Sequence, residues 1–201
     1  MDAGRRERTL KLPAGAKRDA SVAASLLLQY AVGQYREKSS SGNADPDESV
    51  RIADARDVMD FVAGRGPEEF VFCYGEHGKP AFTDPEMPQF NLSHSGDYVA
   101  LVLSDAQCGI DLQRMENGRN VNSIAERFFA PGEEVAVRQG GEETFFRLWT
   151  RKEALAKCSG EGIAPGIGRD IREIPGETGC LWIEWSGLPG YLLAACEMKR
   201  N

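Results

Sequence analysis

The stretch YVALVLSDAQCGIDLQ, residues 98–113, decides how the rest of the chain is read. Residues 98–103 and 108–112 form two apolar runs, and the polar link at 104–107 is short enough to join them as a hairpin. In the second run, strand alternation sends Asp111 and Gln113 to one face and Ile110 and Leu112 to the other. One face is therefore apolar and the other offers oxygens. A hard cation such as magnesium takes oxygen ligands, usually one or two carboxylates completed by phosphate and water. An edge strand with two polar residues facing water is far commoner than a metal site, so this segment decides nothing alone.

Working outward toward the N-terminus, the turn GEHGKP at 75–80 follows a strand expected at 70–74. Before it, Val50, Val58, Met59, Phe61 and Val62 mark an amphipathic stretch, and the polar run at 39–48 reads as a loop. Asp19 is placed to cap a helix over 20–35, where Val22, Leu26, Leu27, Tyr30 and Tyr35 recur at near-helical spacing. Toward the C-terminus, Pro131 with Glu133 and Glu134 resembles the first turn of a short helix. Residues 144–158 form a longer one that stops near Gly160, and strands are expected at 180–185 and 191–196. Helices and strands mix without regular alternation, which favours α+β over a doubly wound sheet. Each half also carries a long helix and a late apolar strand that opens on a tyrosine after a glycine, at Gly96, Asp97, Tyr98 and at Gly190, Tyr191. The expected subdomains are 1–105 and 106–201.

A net charge of −7 argues against a nucleic-acid partner, and no apolar run reaches membrane-spanning length. The five cysteines are scattered and never spaced as CxxC, which fits neither a disulfide framework nor a zinc site. With no apolar core in the first eleven residues, a cytoplasmic location is expected.

Two further segments carry candidate chemistry. In LWTRKEALAK, residues 148–157, Trp149, Glu153 and Lys157 stack at i, i+4 and i+8, with Lys152 beside Glu153. Surface Glu to Lys pairs are common, but Leu148 and Trp149 suggest a partly buried helix, where a charge requires a partner or ligand. In FNLSHSG, residues 90–96, Ser93 and His94 are adjacent and so point to opposite faces of an extended chain, which argues against a serine hydrolase.

Taken in order, GKP at 78–80, FNLSHSG at 90–96, GIDLQ at 109–113, RFF at 127–129 and LWTRKEALAK at 148–157 resemble the Sfp-type 4′-phosphopantetheinyl transferases. The resemblance implies an α+β fold of two similar subdomains in a pseudo-two-fold pair, with the active site in the cleft between them. It implies transfer of 4′-phosphopantetheine from coenzyme A to a serine of an apo acyl or peptidyl carrier protein, with magnesium, releasing adenosine 3′,5′-bisphosphate. At the matching positions Asp111 and Glu153 would be metal ligands, Lys152 and Lys157 would face the pyrophosphate, and Lys79, Ser93 and His94 would bind the nucleotide end. Glu153, or Glu133 through a water, would take the serine proton, and Lys17 and Arg18 would reach the 3′-phosphate. Gln113 stands where the family usually has a second acid, so weaker metal binding or an intervening water is expected there. A complete cleft within one chain implies a monomer. The competing readings are a noncatalytic relative that binds coenzyme A or a carrier protein, and a magnesium-dependent phosphohydrolase built on Asp111 and Glu153.

Overall fold

The computed structural model describes residues 15–41, 52–66, 68–116, 118, 120–162, 168–171 and 180–198. Most of the loop expected at 39–48 lies outside them.

Helix α1 runs Ala16–Ser41, and α2 runs Ala55–Arg65. Three antiparallel units follow: β1 (Phe72–Tyr74) with β2 (Pro80–Phe82), β3 (Gln89–Ser95) with β4 (Tyr98–Ser104), and β5 (Cys108–Arg114) with the C-terminal strands. Between β5 and those strands come α3 (Val121–Phe128) and α4 (Pro131–Ser159); β6 (Cys180–Trp185) and β7 (Tyr191–Met198) complete a sheet of order β5-β7-β6. Among the described residues no helix is long and apolar enough to cross a membrane.

The mixed α+β class is as expected, with corrections inside it. Helix α1 begins at Ala16, so Asp19 sits within its first turn rather than capping it, where its charge still suits the positive end of the helix dipole. The link at 104–107 does not join a hairpin. Strand β4 pairs with β3 across the tight turn at Gly96 and Asp97, and β5 pairs with β7. Apolar runs state which residues form strands but not which strands are partners. The segment FNLSHSG is itself a strand, β3, and α3 was not expected. The two helices expected from Pro131 and from Thr144 are both present within the span α4 and meet at Gly141, where φ 68° and ψ −153° leave the helical region.

Alternation on β4 explains how the layers hold together. Leu101 and Leu103 face a core formed by Leu28 and Val32 of α1 with Phe70 and Phe90, while Ala100 and Val102 face Ile110 and Leu112 of β5 and Tyr191 and Ala195 of β7. A third cluster joins α3 to α4 through Val121, Ala125, Phe145 and Phe146. Helix α4 lies against β5 at Gly109, where a Cβ would collide with the backbone of Ala154 and Cys158. That contact brings the strand of Asp111 alongside the helix of Glu153 and Lys157.

Candidate active site

Asp111 lies on β5 with 5% of its surface exposed. Lys157, from the last turns of α4, reaches it with Nζ 2.6 Å from Oδ1. Ser93, from β3, donates its hydroxyl to the same oxygen at 3.0 Å and accepts from Lys157 Nζ at 3.1 Å. Three elements thus meet at one carboxylate oxygen. The other, Oδ2, is buried and has no hydrogen-bond partner. Burial pushes the Asp111 carboxyl above its usual range, opposed by the charge and hydrogen bond of Lys157, the Ser93 hydroxyl and the Leu112 N–H.

Glu153 precedes Lys157 by one helical turn. Burial raises its carboxyl too, the negative charge of Asp111 raises it further, and Lys157 acts against both. Two carboxylates that feel each other's charge, one with an orphaned buried oxygen, form a donor set suited to a hard cation. Among the described residues no group of three or more His, Cys, Asp or Glu converges here, and Asp111 and Glu153 are the two carboxylates brought together. Gln113 is half-buried on β5, and its amide nitrogen donates to the Arg114 carbonyl at 3.1 Å.

Glu153 and Lys157 open onto a cleft of about 310 Å³ whose other wall includes His77, Gly78, Lys79 and Asn91. This is within the range of small-molecule sites, about 300–1,000 Å³. His77 and Asn91 were not singled out in the sequence as site residues. Their positions in the GEHGKP turn and the FNLSHSG strand were the available signal, but the turn had to fold toward α4 before either faced a cleft.

Other expected residues are engaged elsewhere. Lys79 also lines the cleft, but its Nζ donates to the Cys108 and Cys158 carbonyls, both at 2.8 Å, tying the β1–β2 turn to β5 and to the end of α4. Burial lowers its pKa. Lys152 and Glu133, expected at the pyrophosphate and as a candidate base, form a closed ion pair at 2.7 Å with side-chain exposures of 3% and 0%. Lys152 also donates to the Arg169 carbonyl at 2.5 Å, and Glu133 accepts from the Ala130 and Ile171 amides at 3.1 and 2.8 Å. The helical twist explains the division, because one residue along α4 turns the side chain about 100° away from Glu153. His94 is exposed on the opposite side of β3 from Ser93, and Lys17 and Arg18 stand in the first turn of α1; none of these three lines the cleft.

Comparison with known proteins shows what these elements resemble. Residues 107–184, which hold Asp111, Gln113, Glu133, Lys152, Glu153 and Lys157, match the model of the 4′-phosphopantetheinyl transferase superfamily. A putative 4′-phosphopantetheinyl transferase of Synechocystis is 40% identical over 112 residues, covering 52% of this chain and 46% of that protein. The 4′-phosphopantetheinyl transferase AcpT of Escherichia coli K12 is 48% identical over 93 residues, 43% of this chain and 47% of its own. The 4′-phosphopantetheinyl transferase psf-1 of Bacillus pumilus is 35% identical over 150 residues, 66% and 62% of the two chains. The chain spans about half the length of the first two relatives and about three fifths of the third. The resemblance seen in the ordered motifs is thus carried by the strand of Asp111 and the helix of Glu153 and Lys157, the stretch over which this chain is similar to the 4′-phosphopantetheinyl transferase superfamily.

Proposed function

We propose that the protein transfers 4′-phosphopantetheine from coenzyme A to a serine of an apo acyl or peptidyl carrier protein, releasing adenosine 3′,5′-bisphosphate. The observation that carries this reading is the junction of Asp111, Ser93 and Lys157 beside Glu153 at the cleft, in which Asp111, Glu153 and Lys157 fall within the stretch that matches the superfamily. A magnesium ion held by Asp111 Oδ2 and Glu153, completed by pyrophosphate oxygens and water, would neutralise charge on the pyrophosphate.

The chain's own residues account for the rest. An ammonium has three N–H donors, and Lys157 gives one to Asp111 and one to Ser93, which leaves a third for a phosphate oxygen. In the proposed reaction the carrier serine oxygen attacks the β-phosphorus of coenzyme A. The bond from that phosphorus to the bridging oxygen breaks, and the electron pair leaves on the 5′-phosphate of the nucleotide product. Positive charge fixed at Lys157 stabilises this developing negative charge without reorganising during the step. With Glu133 closed off against Lys152, Glu153 is the carboxylate at the cleft placed to take the serine proton. Gln113 would meet the metal through water, since its amide is turned to the Arg114 carbonyl. His94, Lys17 and Arg18 are our candidates for the nucleotide phosphates.

We read the chain as two pseudo-symmetric subdomains, 1–105 and 106–201, acting as a cytoplasmic monomer. The cleft supports this, because residues 77–79 and Asn91 from the first face Glu153 and Lys157 from the second. The test is incubation with coenzyme A, magnesium and apo acyl or peptidyl carrier proteins, followed by mass measurement of the carrier. A phosphopantetheine mass gain that disappears with EDTA is expected. No gain on any carrier would overturn the reading, and phosphate release without carrier would favour a phosphohydrolase.

A further inference from the structure

Three side chains at alternate positions of β3 accept from alternate amides of β5: Asn91 Oδ1 from Ile110 at 3.0 Å, Ser93 Oγ from Leu112 at 3.1 Å and Ser95 Oγ from Arg114 at 2.9 Å. The other edge of β5 pairs with β7. Side chains of one sheet therefore satisfy backbone donors that the edge of the next would leave open.

The middle rung differs from its neighbours. Ser93 also accepts from Lys157 Nζ and donates to Asp111 Oδ1. A serine hydroxyl has one proton and two lone pairs, and here all three are used. Nothing remains for a phosphate or ribose oxygen unless one of these bonds is given up. Ser93 is also buried, at 7% exposure, whereas its neighbour His94 is open to solvent.

We propose that Ser93 is a positioning residue and not a nucleotide ligand: it holds Asp111 Oδ1 and Lys157 Nζ together, leaving Asp111 Oδ2 and the third Lys157 N–H for the substrate side. The kinetic part of this proposal rests on the transferase reading above. Its structural part rests on the bonding of one hydroxyl.

The test uses the full chain with Ser93→Ala, Ser93→Thr and Ser95→Ala. Ser95→Ala removes a rung of the same kind that touches neither Asp111 nor Lys157. Hydrogen bonds to charged groups are worth enough that Ser93→Ala should lower kcat by roughly tenfold to a hundredfold. Its affinity for coenzyme A in metal-free buffer, measured by calorimetry, should stay within about twofold, because no ligand contact is lost. Ser95→Ala should keep kcat within about twofold, and Ser93→Thr, which retains the hydroxyl, should recover most of the rate. Tenfold weaker coenzyme A binding at unchanged kcat in Ser93→Ala would overturn the assignment. So would a loss of kcat in Ser95→Ala equal to that in Ser93→Ala, or no recovery in Ser93→Thr. Amide hydrogen exchange at Leu112, read without substrate, separates this proposal from the reaction itself. Faster exchange in Ser93→Ala is expected, and unchanged exchange would refute the bonding even in an active enzyme. A wild type that transfers to no carrier would overturn the reaction while leaving the exchange result to judge Ser93.

Discussion

Gly109→Ala adds one methyl group to β5, and the structure predicts that it harms both stability and rate. The added Cβ would lie 2.8 Å from Cys158 Cα and closer still to Ala154 O and Cys158 N. Carbon atoms rest about 3.5–4.0 Å apart, so α4 must retreat from β5 by about 1 Å. All three obstructing atoms are helix backbone, so no side-chain rotation relieves the clash. Overpacking of this kind costs about 1–3 kcal/mol, and taking about 2 kcal/mol the Tm falls by about 4–8 °C for a chain of this size. In an open position the same change would stabilise by about 0.4–1 kcal/mol, so the sign alone is diagnostic. The functional effect follows from neighbours in sequence, since Ala154 adjoins Glu153 and Cys158 adjoins Lys157. A retreat of about 1 Å stretches the 2.6 Å contact between Lys157 and Asp111 beyond hydrogen-bond length, and misplacement on that scale costs about a hundredfold in rate. Thermal unfolding by circular dichroism and phosphopantetheine transfer by mass spectrometry read the two consequences. An alanine variant with an unchanged or raised Tm and a kcat within about twofold of wild type would refute the packing of α4 on β5.

Lys152→Met should destabilise the protein by about 3–5 kcal/mol, because it removes one partner of an ion pair in a site closed to water. Urea unfolding measures this, and intact stability with a raised KM for coenzyme A would instead put Lys152 at the pyrophosphate. Glu153→Gln should change how stability varies with pH in metal-free buffer. The folded-state pKa of Glu153 is raised above its ordinary 4.5, so the stability this group contributes is full below about that pH and is lost as pH rises through the raised value. The glutamine variant does not titrate, so its urea midpoint should gain on the wild type between pH 4 and pH 7. An equal difference at both pH values would contradict the burial and charge repulsion described for this carboxyl.

Much of the candidate site was legible before any coordinates, because chemistry written in short local patterns survives without tertiary context. Alternation on residues 109–113 put Asp111 on the polar face of a strand, and helical spacing put Glu153 and Lys157 one turn apart, as the structure has them. The opposed faces of Ser93 and His94 followed from the same periodicity. The strands at 180–185 and 191–196 were legible as well, the second extending to Met198. The partners of Lys79, Lys152 and Glu133 were not, since a charged residue in a motif reads the same whether it meets a substrate, a carbonyl or another side chain.

The sequence by itself determined the α+β class, the main helices and most strands, and the identity of the acidic and basic groups, because each depends on residues within one or two turns of one another. Only the tertiary structure decided that β5 leaves β4 for β7, that Gly109 lets α4 close on Asp111, and that the hydroxyl of Ser93 is fully used between Asp111 and Lys157. Those outcomes join residues far apart in sequence, such as Cys108 with Glu197 and Ser93 with Lys157. Periodicity states which way a side chain faces, and what it meets there is fixed by packing across the sheets.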